Sequence, residues 1–318
     1  MQADDSSNDD EMEDLMPPVR KLLRIALASE PAIKNKQRWR DAPDAFLLPF
    51  VRFAHSKREF RASPLAACGG GGNAKDGGGA LEEPPSDEEV AAETVQMLLA
   101  FVRYAEAAEA RGLLPMAGDV ERMRPLYMQH FMVMLPPTTR DADGGRVLLV
   151  QLRQLAKASE DVLEQIVCWF FIHSCLIPEL TLPGLCIVYD VSGVTLQDAY
   201  RLLRMDFPRI APQGCFPIRI RRVVVTNQPW WMSVVWGAVS KMLDAKLRSR
   251  ITFLGDDAKV LHQTIGKGGL PQTLGGASGG GEGWLRECSL RGHLLQRLDP
   301  PLASQEFQRR SGWRVVSV

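Results

Sequence analysis

The stretch CFPIRIRRVVVTNQPWW, residues 215–231, sets Arg219, Arg221 and Arg222 against the apolar run 223–225 and places Trp230 and Trp231 just beyond it. Guanidinium groups at this density bind phosphate, on nucleic acid, on a small substrate or on a membrane surface. The bias continues downstream. Residues 209–250 hold eight bases (Arg209, Arg219, Arg221, Arg222, Lys241, Lys246, Arg248 and Arg250) and one acid, Asp244. A solvated charged face is the plain explanation of such a run. Bases at the start of one strand and at the end of the next helix can also converge, because that helix runs back across the sheet, and a converging group is a phosphate site.

Other chemistries find less support. Gly276-Ala277-Ser278-Gly279-Gly280 matches G-x-S-x-G, but a nucleophile elbow needs a strand before the serine and a helix after it. The surrounding GGASGGGEG offers neither, so an enzyme built on Ser278 is the weaker reading. IGKGG, residues 265–269, lacks the spacing and the hydroxyl of a phosphate loop. The five histidines (55, 130, 173, 262 and 293) have no i, i+4 ligand pairing, and the six cysteines (68, 168, 175, 186, 215 and 288) form no C-x-x-C pair. Neither a metal site nor a disulfide framework is expected; buried thiols in a reducing cytosol account for the cysteines. No catalytic set and no cofactor follow from these residues.

The elements that must position the arginines are legible from periodicity. Residues 1–15 hold seven acids and no base, which leaves 38 bases against 31 acids in the remainder. This acidic stretch reads as a disordered arm. MPPVRKLLRIALA (16–28), DAFLLPFVRFAHSKREF (44–60) and EVAAETVQMLLAFVRYAEAAEARG (89–112) read as helices. Between the last two, residues 68–88 are rich in glycine, proline and charge and read as a flexible insertion. Beyond residue 125 the pattern alternates: strand in 144–155, helix 159–177, strand 184–193, helix 196–207, strand 221–227, helix 230–247. Strands apolar on both faces, alternating with helices, imply a parallel sheet covered by helices. In the last helix Met232, Val235, Trp236, Val239, Met242 and Leu243 form one apolar stripe, the pattern of a core helix. The longest apolar run, 166–178, is too short to span a bilayer and contains His173, and no signal peptide precedes the body.

Five stretches in order, DAFLLPFVRFAHSKREF, GLCIVYDVSG, FPIRIRRVVVTNQPWW, AKLRSRITFLG and GLPQTLGG, resemble the CRAL-TRIO lipid-binding family, and within it the alpha-tocopherol transfer protein and retinaldehyde-binding protein branch. The resemblance covers about residues 44–276. It implies a helical N-terminal lobe and an α/β lobe whose sheet floors an apolar cavity closed by a mobile amphipathic helix. The striped helix matches that lid. In the tocopherol branch, bases matching Arg219, Arg221, Lys246 and Arg250, with Arg52 of the helical lobe, form a phosphoinositide-binding patch. The tryptophans would then lie at the membrane interface. Ile218 stands where inositol-lipid transfer relatives have an acid, which points away from inositol-lipid exchange as the main activity.

These readings combine into one expectation. The fold class is α/β: a CRAL-TRIO domain over 126–280, with a mainly parallel sheet and a lid helix, preceded by an all-helical lobe over 16–125 and followed by an irregular tail, 281–318. The expected function is that of a non-enzymatic, cytoplasmic, reversibly membrane-associated carrier of a tocopherol-, retinoid- or phospholipid-like ligand, loading and unloading at phosphoinositide membranes, with no nucleic-acid partner. Its cavity walls are expected at Phe170, Ile187, Tyr189, Val191, Met232, Val235, Trp236 and Val239. The alternatives are a phosphoinositide-binding regulatory module without transport, or a phosphatidylinositol or phospholipid transfer protein.

Overall fold

The computed structural model describes residues 6–34, 36–42, 44–62, 85–113, 132–136, 138–174, 180–181, 183–204, 214–243, 245–266 and 268–277. The insertion up to residue 84, the tail 281–318, Ser278 and Cys68, Cys175 and Cys288 lie outside them. The first lobe is built of α1 (Ser6–Ser29), α2 (Lys36–Arg40), α3 (Asp44–Ala62) and α4 (Asp87–Ala110). Helix α1 corrects the expectation of a disordered arm over 1–15, because it begins at Ser6 and already buries Leu15 and Met16. Their spacing continues the stripe Val19, Leu23 and Leu27, so the apolar face runs across Pro17 and Pro18 despite the N–H groups that the prolines lack. Helix α4 starts on a capping box: Ser86 Oγ accepts from the Glu89 N–H at 3.3 Å, and the Ser86 N–H donates to Glu89 Oε2 at 2.7 Å. The last residues expected in the insertion, 86–88, therefore belong to the helix start.

Aromatic rings hold this lobe. Phe101 of α4 meets Phe46 at 5.6 Å and Phe50 at 5.4 Å, and Trp39 edge-on at 6.1 Å. The Trp39 indole N–H donates to Glu106 at 3.1 Å, which lets a fully buried indole keep its polar contact.

The second lobe carries one sheet in the order β1-β2-β3-β4-β5: β1 (Met132–Met134), β2 (Arg146–Gln151), β3 (Leu185–Asp190), β4 (Ile220–Thr226) and β5 (Ile251–Gly255). Strand β1 runs antiparallel to β2, and the other neighbours are parallel. Between them lie α5 (Leu152–Leu155), α6 (Glu160–Ser174), α7 (Leu196–Leu203), α8 (Met232–Met242) and α9 (Ala245–Ser249); α10 (Ala258–Ile265) and a short turn, Gln272–Leu274, close the lobe. Where the sequence predicts one helix over 230–247, the chain makes two, because Leu243 adopts an extended conformation, φ −95° and ψ 142°. Strand β1 was not expected; three residues are too few to carry a periodic signal.

Phe216 locks the two lobes together. It stacks on Phe171 of α6 at 4.7 Å and meets Phe101 and Tyr104 of α4 edge-on at 6.0 and 5.1 Å. Beside it the Arg111 guanidinium donates to the buried carboxylate of Glu164, so α4 and α6 are also joined by charge. Phe216→Ala is expected to cost at least about 3 kcal/mol in denaturant unfolding, as truncation of a buried aromatic does; a loss below about 1 kcal/mol would show that the lobes do not share this core.

The glycines of the two formal motifs have structural work. A Cβ on Gly276 would stand 1.9 Å from the Leu270 carbonyl oxygen, and one on Gly269 would stand 1.8 Å from Thr139 Oγ1. The Gly276 N–H closes the turn on the Pro271 carbonyl at 3.0 Å. Gly276→Ala should therefore destabilise the protein by about 2 kcal/mol in thermal or denaturant unfolding, in the range for steric overpacking. An unchanged midpoint would refute this close approach.

Candidate functional site

Register builds an apolar floor. Direct cross-strand partners place Met134, Leu148, Ile187, Val223 and Ile251 in one row and Met132, Val150, Tyr189, Val225 and Phe253 in the next, so both rows share one face of the sheet. Of the expected cavity residues, Ile187 and Tyr189 lie on this face, and Val191 continues its alternation beyond β3. Helix α8 crosses the β5 side of the face. Met232 and Trp231 pack with Val191, Val225, Tyr189 and Phe253, and the Trp236 ring meets Phe253 edge-on at 5.0 Å. Phe170 stands apart from this group, in the larger core of the lobe, 5.5 Å from Phe171.

The cover is thin. Among the described side chains of 232–243 none is buried: Met232, Val235, Trp236 and Val239 are half-buried, and Val234 is 70% exposed. The stripe predicts a core helix, yet among the described residues of this helix none is buried. The tryptophan pair divides. Trp230 is 89% exposed, whereas Trp231 is half-buried among the apolar residues around Met232, so the two tryptophans expected together differ in exposure. Phe253 and Leu152, which complete the apolar group, were missed; the alternation Ile251-Thr252-Phe253 was the available signal for Phe253.

Helix α8 departs from a tightly hydrogen-bonded corner. Asn227 turns the chain out of β4 in a left-handed conformation, φ 57°. Its side-chain amide donates to Asp190 Oδ1 at 3.0 Å, the same oxygen that accepts from the Ser192 N–H at 3.0 Å. Its backbone N–H donates to the Gly255 carbonyl, and Gln228 Oε1 accepts from the Gly255 N–H, at 2.6 and 2.9 Å. The strand ends are therefore clamped where α8 departs.

Charge gathers at the other end of the sheet. Arg219 and Arg221 lead into β4, and α9 carries Lys246 up to Arg250, whose guanidinium donates to the Ile220 carbonyl. Burial, and then the like charges of Arg221 and Arg250, push the Arg219 guanidinium below its ordinary range. Arg221 Nη1 donates to the carbonyls of Asp143 and Pro183 at 3.1 and 3.3 Å, and Arg222 Nη2 donates to the Asp143 carboxylate at 2.9 Å. Arg52 lies half-buried on α3 of the first lobe. Sequence reasoning did not identify Asp143.

Two further features bear on chemistry. A groove of ≈ 800 Å³ opens between 155–163 and α7, lined by Leu155, Leu163, Leu196, Asp198, Tyr200 and Arg201 among others, and none of the expected cavity residues lines it. Burial pushes the thiols up, to about 11 for Cys168 and to about 12 for Cys186 and Cys215, so none is a thiolate nucleophile near neutral pH.

Comparison with known proteins is consistent with this architecture. Residues 131–276 match the CRAL/TRIO domain. Clavesin-2 of Homo sapiens is 32% identical over 102 residues, which is 31% of this chain and 31% of that protein. An alpha-tocopherol transfer protein-like protein of Mus musculus is 27% identical over 153 residues, 47% of this chain and 44% of that protein. The chain thus matches less than half the length of either relative. The crystal structure of Sfh5 superposes with a TM-score of 0.44 at 14% identity, over 83% of this chain and 85% of that one. No helix among the described residues is long and apolar enough to cross a membrane. The chain carries, over residues 131–276, the domain of the CRAL-TRIO lipid-binding and lipid-transfer proteins.

Proposed function

We propose that the protein is an intracellular carrier that takes up a hydrophobic small molecule or lipid, tocopherol- or retinoid-like, and transfers it at phosphoinositide-containing membranes. The observation that carries this reading is the mismatch between an apolar floor five strands wide and a cover helix without a buried residue among those described. A helix held by so few buried contacts opens at low cost. An apolar guest inserted beneath it completes the missing packing, each buried methylene contributing about 0.8 kcal/mol. The cavity walls are Ile187, Tyr189 and Val191 of the floor, Met232, Val235, Trp236 and Val239 of the lid, and Phe170 behind them. The likeness to the alpha-tocopherol transfer protein-like relative supports a ligand of that class.

The membrane is assigned to the basic end of the sheet. Arg219, Arg221, Lys246 and Arg250, with Arg52 from the helical lobe, would meet the headgroups; the exposed Trp230 lies beyond the opposite end of β4 and is not part of this group. Such a surface makes the protein a peripheral carrier rather than an enzyme.

Loading is tested with purified protein and a panel of tocopherol, retinoid and phospholipid. Saturable binding is expected for at least one, and Trp236→Asp should weaken it by at least tenfold, because an unpaired carboxylate would enter the apolar gap. Absence of saturable binding across the panel refutes the carrier reading.

Docking is tested separately with Arg219→Glu and Lys246→Glu together, which spare the backbone hydrogen bonds of Arg221 and Arg250. At about 1 kcal/mol per charge near an anionic surface, removing two bases alone should weaken sedimentation with phosphoinositide vesicles more than tenfold, most strongly at low salt. Ligand affinity in solution should not change. If the double variant sediments like wild type, these bases are a solvated rim.

A further inference from the structure

Asp143 sets a carboxylate against the arginines at the basic end of the sheet. Its turn is held from several sides. Asp141 Oδ1 accepts from the N–H groups of Gly145 and Asp143 at 2.6 and 3.1 Å, and the Ala142 N–H donates to the Thr264 carbonyl of α10 at 2.7 Å. The turn therefore presents Asp143 in a fixed place. There its carboxylate lies 2.9 Å from Arg222 Nη2 and 3.8 Å from Arg221 Nη2, while its carbonyl accepts from Arg221 Nη1. The groups are partly exposed, with side-chain accessibilities of 39% for Asp143 and 31% and 34% for the arginines. A surface pair of this kind contributes little to folding. Its main consequence is for what else the two guanidiniums can bind.

Resting on the docking reading above, we propose that Asp143 is an internal competitor for the anion site and makes the patch select membrane phosphate monoesters over singly charged lipid headgroups. The carboxylate brings one negative charge and two oxygens. A phosphate monoester brings a charge of about −1.5 to −2 and three oxygens, enough to displace it. A phosphodiester lipid such as phosphatidylserine, with a net charge of −1, gains no advantage over the carboxylate already in place. Arg219 and Arg221 flank Ile220, whose carbonyl accepts from the Arg250 guanidinium, so a displaced Asp143 would leave a group of guanidiniums gathered at the start of β4 for the incoming phosphate.

The test uses full-length protein and phosphatidylcholine vesicles carrying either phosphatidylserine or phosphatidylinositol 4,5-bisphosphate at matched nominal charge. Wild type is expected to favour the bisphosphate vesicles. Asp143→Asn should raise phosphatidylserine binding about fivefold, equivalent to about 1 kcal/mol for one charge near the surface, and bisphosphate binding by less than twofold. Asp143→Glu should behave like wild type. Asp256→Asn, an exposed acid just beyond β5 at the opposite end of the sheet, should change neither. The proposal is overturned if Asp143→Asn matches wild type on both vesicles, if it raises both equally, or if Asp256→Asn reproduces its effect. Failure of every variant and of wild type to bind either vesicle removes the docking reading, and this proposal with it. Normal wild-type binding with an inert Asp143→Asn removes this proposal alone.

Discussion

An apolar sheet face has to be covered, and among the described residues of this protein the cover on the β5 side is incomplete. Two rows of cross-strand partners, from Met132 and Met134 to Phe253 and Ile251, make one face continuously hydrophobic. Near β2 that face is buried, with Leu148 and Val150 each 2% exposed. Toward β5 it is not: Ile251 and Phe253 are only half-covered, and the described side chains of α8 above them are half-buried or exposed. The lobe is arranged around this gradient, with a buried side near β2 and a half-covered side near β5.

Rigidity is supplied where looseness would be costly. The junction of the lobes is closed by Phe216, whose contacts with Phe171, Phe101 and Tyr104 tie α6 to α4, and by the Arg111–Glu164 pair beside it. The exit from β4 is fixed by Asn227, which spends its side-chain amide on Asp190 and its backbone N–H on Gly255. Between this corner and the short α9, helix α8 is held in its middle by Trp236 against Phe253. Arg248 Nη1, donating to the Ser240 carbonyl at 3.3 Å, bridges the break between the two helices.

The two ends of the sheet carry different physics. At the C-terminal ends of the parallel strands polar side chains satisfy one another and shape the corner. At the N-terminal ends several guanidiniums are brought close enough to repel, and the fold places backbone carbonyls and one carboxylate among them. The carbonyls of Pro183, Asp143 and Ile220 accept from Arg221 and Arg250, so these arginines are held in place by the backbone. Preorganised donors of this kind lose less freedom on binding an anion than flexible lysines do.

Much of this was legible in the chain itself. Continuous apolar runs bounded by glycine marked β3 and β4, the 3.6-residue stripe marked α8, and the density of arginine marked the charged end, because each is a property of neighbours along the sequence. The expected arm was misread over residues 6–15 because acidic composition outweighed the stripe that Leu15 and Met16 extend. What the chain alone left open is pairwise and distant. Periodicity makes α8 apolar on one side but does not say how deeply that side is buried, since depth depends on what faces it across the sheet. Nor could the sequence place Asp143 against Arg221 and Arg222, residues separated by more than seventy positions. Local pattern determined which segments are helices and strands and which stretch is basic. Only the register of five strands and the closure of a distant turn decided which apolar residues share a floor and which acid sits among the arginines, because those are contacts between parts of the chain that have no periodic relation to one another.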